Sequence, residues 1–163
     1  MIESNIIAHA TTEGVRESCG LVSGGIYFPC TNIHPDPENY FEISSEEWLR
    51  AESHAEVEAV VHSHPAGLPF LSAGDRDMQV KTGLPWWLVC DDRLLKFNPV
   101  PRLLGREFNH GVQDCYSIIR DAYHLCGISL DDFERHDNWW YTGDNLYLDN
   151  IPGQGFYQVD EVR

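Results

Sequence analysis

The sequence predicts a mixed α/β fold, with a mostly antiparallel or mixed sheet flanked by helices, on three observations. Short runs rich in apolar and β-branched residues are bounded by tight turn signals, as at Gly24-Gly25 and Asp91-Asp92-Arg93. Between them lie segments that open on a serine and close on glycine, as from Ser72 to Gly83. The 163 residues are 42% hydrophobic, enough to bury a core, and no stretch approaches the roughly 18 apolar residues of a membrane span.

Ile2, Ile6, Ile7 and Ala10 recur at helical spacing, and Gly14 stands where that helix can stop. Cys19 to Val22 and Ile26 to Phe28 read as strands around the Gly-Gly turn, a hairpin. A loop rich in Asn and Pro follows, then a short strand is expected over Tyr40 to Ile43. Ser44, three residues before Glu47, fits a capping box, with a helix running toward His54. Val57 to Val61 is a third strand that feeds the segment HSHPAGLPFLSAGD. Ser72 is an N-cap residue type, which places Asp75 in the first turn of a helix to about Thr82. Trp86 to Cys90 and Leu94 to Asn98 form a second hairpin. Pro99-Val100-Pro101 breaks the pattern, so a domain boundary is expected there, dividing residues 1–100 from 101–163.

A net charge of −15, spread along both halves, disfavours a nucleic-acid partner, and no local basic patch offsets it. Nor does the composition suit a membrane. The amino terminus lacks the basic start and apolar block of a secretory signal, which predicts a cytoplasmic location. Cys19, Cys30, Cys90, Cys115 and Cys126 are odd in number and contain no Cys-x-x-Cys pair, so they read as thiols rather than as a disulfide framework or a cysteine zinc site.

If the third strand continues through His64, His62 and His64 point to the same face and can meet one ion. Asp75 from the following helix makes a third ligand and leaves one corner of a zinc tetrahedron open for water. Zinc brings the pKa of such a water toward about 7 and can polarise a carbonyl. The chemistry also needs a carboxylate that moves the water proton without binding the metal, and Ser72 can offer its hydroxyl to a developing oxyanion. A lone His-x-His carries little information. His9, His34, His54, His124 and His136 have no partner at ligand spacing.

The spacing His-x-His, seven residues, Ser, two residues, Asp, with Pro65 after the second histidine, resembles the JAMM metalloprotease family, also called JAB or MPN+. Glu17-Ser18-Cys19-Gly20 resembles that family's upstream glutamate, and Asn32 and the stretch Pro37 to Phe41 are also similar. The resemblance covers roughly residues 2–100 and implies a cytidine-deaminase-like sheet. It further implies zinc held by His62, His64 and Asp75, Glu17 as general base, and Ser72 beside the oxyanion. The implied reaction is hydrolysis of a peptide or isopeptide bond.

In residues 108–128, Cys115 directly precedes a helical run whose apolar stripe is Ile118, Ile119, Ala122 and Tyr123, with Asp114 as N-cap. A thiol at a helix N-terminus is a better nucleophile, although a small buried cysteine is the plainer reading. The Gly-x-x-Asp-Cys pattern, its helix and Gly127-Ile128 resemble the nucleophile segment of NlpC/P60 cysteine peptidases, which cut bacterial cell-wall peptides. These also need a histidine on a later strand. Only His124 and His136 follow Cys115, so residues 101–163 are expected to be the N-terminal part of such a domain, with an incomplete site. Trp139, Trp140, Tyr141, Tyr147 and Tyr157 read as core for a missing half-domain, with a contact surface as the alternative.

A JAMM unit followed by an NlpC/P60 unit, with stretches such as YFPCTNI, LPWWLVC and DNLYLDN, resembles a family of tail assembly proteins of lambda-like phages. That resemblance implies phage tail components as partners and, by analogy to other JAMM enzymes, a ubiquitin-like segment as substrate, in the cytoplasm of the infected bacterial cell. The alternatives are a peptidoglycan-cleaving cysteine peptidase with a downstream histidine, or a non-catalytic assembly factor.

Overall fold

A computed structural model describes residues 2–159, which divide into two compact units. One carries the residues up to Val100 together with Leu125–Gly127; the other carries Pro101–His124 and the residues from Ile128 on.

The first unit is a five-stranded mixed sheet flanked by helices, in the order β2-β1-β3-β4-β5. Helix α1 (Ile2–Glu13) ends at Gly14, whose φ of 67° is costly for any residue with a Cβ. Strands β1 (Cys19–Ser23) and β2 (Ile26–Cys30) pair antiparallel across Gly24 and Gly25. Both glycines have positive φ (55° and 72°), the conformation a two-residue hairpin turn requires. Helix α2 (Ser45–Glu52) follows, then strand β3 (Val57–Ser63), helix α3 (Ala73–Thr82), and strands β4 (Trp86–Cys90) and β5 (Arg93–Phe97).

Strand β3 lies antiparallel to β1 and parallel to β4, the single parallel pair, with α3 in the crossover between them. Side-chain alternation divides the core. Val22, Ala59, Val61 and Val89 meet Ile6 of α1 on one face; Cys19, Leu21, Val60, Leu88 and Phe97 pack with Ala51 of α2 and Leu71 on the other.

Three local expectations need correction. Residues 40–43 form no strand, because their backbone groups are taken elsewhere. The Asn32 amide donates to Tyr40 O, its oxygen accepts from Glu42 N, and Ile33 N donates to Glu42 O. Helix α2 begins at its predicted serine cap, with Ser44 Oγ accepting from Glu47 N, but the Glu47 carboxylate turns to Thr31 N instead of reaching back, and the helix ends at Glu52. The β4–β5 turn has two residues: Asp91 and Asp92 take positive φ (50° and 56°), while Arg93 already pairs with Cys90.

In the second unit, helix α4 (Cys115–Leu125) is followed by the short helices α5 (Trp139–Thr142) and α6 (Leu146–Asn150) and a 3-10 turn at Pro152–Gln154. Asp114 accepts from Ser117 N at 3.0 Å and Gly111 N at 2.9 Å, so it caps α4. The buried Arg135 donates to Asp114 at 2.6 Å and to Asp132 at 2.7 Å, with its guanidinium over the Tyr116 and Phe133 rings. Burial works to raise the Asp114 carboxyl, and the hydrogen bond from Arg135 outweighs it and holds the group low.

The expected apolar stripe of α4 is not its buried face. Tyr116, Ser117 and Asp121 are buried, while Ile118 and Ile119 are exposed. Trp140, Tyr141 and Tyr157 are exposed. The interior of this unit is organised by ion pairs, which hydropathy does not register. All five cysteines are free thiols, and among the described residues no helix is long and apolar enough to cross a membrane.

Gly20 faces Tyr27 so closely that a Cβ there would lie 2.5 Å from the ring and 2.7 Å from Phe28 O. Gly20→Ala is therefore expected to lower the unfolding free energy by about 1–3 kcal/mol, read by urea denaturation.

Candidate metal centre

The centre assembles where β3 ends. His62 lies in β3 and is wholly buried, its ring stacked on Phe41 at 4.8 Å. His64 falls one residue past the strand, yet its N–H donates to Val89 O at 2.9 Å, so the ladder continues and both rings reach one side. Asp75 comes from the first turn of α3, where a complete capping box holds it: Ser72 Oγ accepts from Asp75 N, and Ser72 N donates to Asp75 Oδ2 at 2.8 Å.

Three atoms converge. His62 Nε2 and His64 Nε2 are 3.1 Å apart, and Asp75 Oδ2 lies 3.4 Å from the first and 3.3 Å from the second. A tetrahedral zinc with bonds of about 2.0–2.1 Å spaces its ligand atoms roughly 3.3–3.4 Å apart, so the donor set fits that ion in chemistry and in size. His64 Nδ1 lies 3.0 Å from Leu68 O, which can only accept, so in the neutral ring the proton sits on Nδ1 and the Nε2 lone pair is free for an ion. Burial lowers the pKa of His62 and keeps it neutral, as a ligand must be. For His64, burial also acts downward, but the hydrogen bond to Asp75 outweighs it and raises the pKa. Asp75 is held well below the usual carboxylate range: burial opposes this, and hydrogen bonds from His62 and His64 prevail. A surrounding that favours a proton on His64 also favours a cation between the three groups.

Glu17 stands outside the triangle, its Oε1 4.0 Å from His64 Nε2. Burial pushes its carboxyl up to about 7 against the lowering effect of His64, a value matched to taking up and returning a proton near neutral pH. Its backbone is gripped on both sides: Glu17 N donates to Pro37 O at 2.7 Å, and Asn32 Nδ2 donates to Glu17 O at 2.9 Å. Next to it, Ser18 N donates to Ser63 Oγ at 2.8 Å, and Ser63 N donates to Ser18 O at 3.1 Å.

The structure thus brings together Glu17, His62, His64, Ser72 and Asp75. Cys115 lies apart in the second unit, exposed at the first residue of α4, and among the described residues no hydrogen bond joins it to a histidine. Sequence reasoning assigned no role to Ser63, Gly67 or Phe41. Gly67 carried a signal: a glycine in the loop just after a ligand often marks a close approach. A Cβ there would lie 2.8 Å from His64 Cβ.

A mixed sheet that ends a strand on His-x-His, takes a third ligand from the next helix and keeps a carboxylate in reserve defines a JAB-like domain with a candidate hydrolytic centre. The chain belongs to the Prok-JAB family, prokaryotic homologs of the JAB domain, whose model matches residues 2–102. Tail tip assembly protein K of Escherichia phage lambda is 58% identical over 117 residues, which cover 72% of this chain and 59% of that protein; the chain thus spans less than two thirds of that relative. The protein of the same name from Escherichia phage N15 is 34% identical over 166 residues, covering 95% of this chain and 68% of that protein. A solution structure of a Desulfitobacterium hafniense protein is 23% identical with a TM-score of 0.47, over 57% of this chain and 75% of that one.

Purified protein is expected to bind about one equivalent of zinc, measured by elemental analysis. Gly67→Ala, by displacing His64, should weaken binding at least roughly tenfold in a chelator competition. Asn32→Ala, which strips hydrogen bonds from Glu17 O, Tyr40 O, His34 N and Glu42 N, should cost about 2–3 kcal/mol in denaturant unfolding of the zinc-loaded protein while zinc content is retained.

Proposed function

We propose that this chain is a zinc-dependent peptidase or isopeptidase that acts in phage tail tip assembly. The observation that carries the reading is the triangle of His62, His64 and Asp75 donor atoms with the Glu17 carboxylate just outside it. Held by those three residues, zinc would supply Lewis acidity to a carbonyl and a water acidified toward neutral pH. Glu17 takes the proton of the attacking water and returns it to the leaving amine. His64 is kept in its ligating tautomer by Leu68 O. Ser72 Oγ already accepts from Asp75 N, which leaves its own hydrogen free to point toward the oxyanion.

The tail tip role rests on the lambda and N15 relatives, whose names describe tail tip assembly. The substrate is accordingly another tail protein, one with a ubiquitin-like segment in the analogy to other JAMM enzymes, met in the cytoplasm of the infected bacterium. Residues 101–163 are read as the N-terminal part of an NlpC/P60-like domain in which Cys115 stands at the nucleophile position of a site left incomplete in this chain.

Co-expression with tail proteins, followed by mass spectrometry of the products, tests the reading. Glu17→Gln is expected to retain zinc and to lose cleavage by about 10²-fold or more. Undiminished cleavage in that variant would sink the assignment of the base, and intact tails from phage carrying both Glu17→Gln and His62→Ala would sink the peptidase.

A further inference from the structure

The first unit holds a cavity of about 870 Å³ that opens onto Glu17, His64 and Asp75. Its apolar wall is built from Phe41, Ile43, Trp48 and Trp86, with Met78 of α3 at the rim. Val60 and Trp86 line it although both are almost wholly buried in the core, so the space is deep rather than a surface dimple. The two indoles have no free donor to offer. Trp48 Nε1 donates to Glu52 at 2.8 Å and Trp86 Nε1 to Thr82 Oγ1 at 3.2 Å, so neither needs an acceptor from an occupant. Phe41 is braced between the His62 ring and Trp86, which keeps the wall rigid.

The charged residues lining the cavity carry one sign. Asp36 and Glu42 join Glu17 and Asp75, and no lysine or arginine is among its lining residues. A smaller cavity of about 380 Å³ shares Glu17, His64 and Ser72, continues along Leu68 and Phe70, and adds Glu38, again without a basic residue. Glu17, His64 and Ser72 therefore border both spaces, as suits a chain that passes across them.

We propose that the substrate is an extended protein segment with a bulky apolar residue seated against Phe41, Trp48 and Trp86, and a lysine or arginine within a residue or two of it facing Asp36 or Glu42. This rests on the peptidase reading above and names the substrate class of that same site. Burying a large apolar side chain there favours it over alanine by roughly 10–100-fold in kcat/KM. The acidic rim selects the cation and repels acidic segments, in keeping with the overall charge of −15.

The test uses the full zinc-loaded chain and a positional-scanning peptide mixture, with cleavage sites mapped by mass spectrometry. The expected result is cleavage at a fixed offset from Phe, Leu, Met or Trp with Lys or Arg nearby. Met78→Trp, at an exposed position, should shrink the preference for Phe over Ala at least tenfold, and Glu42→Lys should reverse the preference for Lys over Glu. Phe and Ala peptides cleaved within twofold of each other, or a preference for acidic peptides, would overturn the inference and leave the peptidase intact. Absence of any cleavage would instead count against the peptidase. The substrate class is then judged by calorimetric binding to the Glu17→Gln protein of a blocked hexapeptide carrying Lys and Phe, compared with its Glu and Ala counterpart. At least tenfold tighter binding of the first supports the proposal, and equal binding overturns it.

Discussion

The antiparallel register of β1 on β3 is the constraint from which the centre follows. Cys19 lies opposite His62, and just before it Ser18 and Ser63, 45 residues apart in sequence, exchange a backbone bond and a bond to the Ser63 hydroxyl. That pairing brings Glu17, two residues before the strand, level with the two histidines at its neighbour's end. A slip of one residue would turn the histidines to the other face and carry Glu17 out of reach. Because Val60 and Val61 of β3 lie in opposite core clusters, the register is held by burial on both faces.

Around that pairing, further contacts hold the geometry. Asn32 makes four hydrogen bonds from a buried position, tying Glu17 to the loop that walls the cleft. Phe41, on that loop, packs flat on His62. The Asp75 carboxylate is fixed by the cap of its own helix, so the residue that starts α3 also sets the third ligand. Local helix chemistry and site chemistry are here the same interactions, and a change in the cap is a change in the centre.

The second unit is held on a different principle. Its interior turns on Arg135 between Asp114 and Asp132, with aromatic faces against the guanidinium, and on Tyr116, whose hydroxyl donates to Asp131 O at 2.6 Å and accepts from Gln154 Nε2 at 2.9 Å. Such a network depends on all its partners, since a buried charge left alone is costly. Hydropathy pointed to Ile118 and Ile119 instead, and so misplaced the buried face of α4.

Most of the first unit was legible because its signals are local. Short apolar runs bounded by turn signals marked β3 and β4, paired glycines marked the β1–β2 turn, and Ser72 with Gly83 bracketed α3 within a residue. The same local rules placed His62 and His64 on one face and Asp75 in a first helical turn. Glu17 was different: no periodicity or cap connects it to the histidines, and only the family resemblance pointed to it. The strand expected over residues 40–43 failed because the bonds of Tyr40 and Glu42 go to Asn32, a contact between chain segments that no local pattern encodes. By itself, then, the sequence determined α1 to α4, β1 to β5 and the three donor residues, since these follow from local patterns and caps. The tertiary structure alone decided how far Glu17 stands from His64, what space opens beside them and which charges line it, because those depend on the register between distant strands and on packing that brings Phe41, Trp48 and Trp86 together.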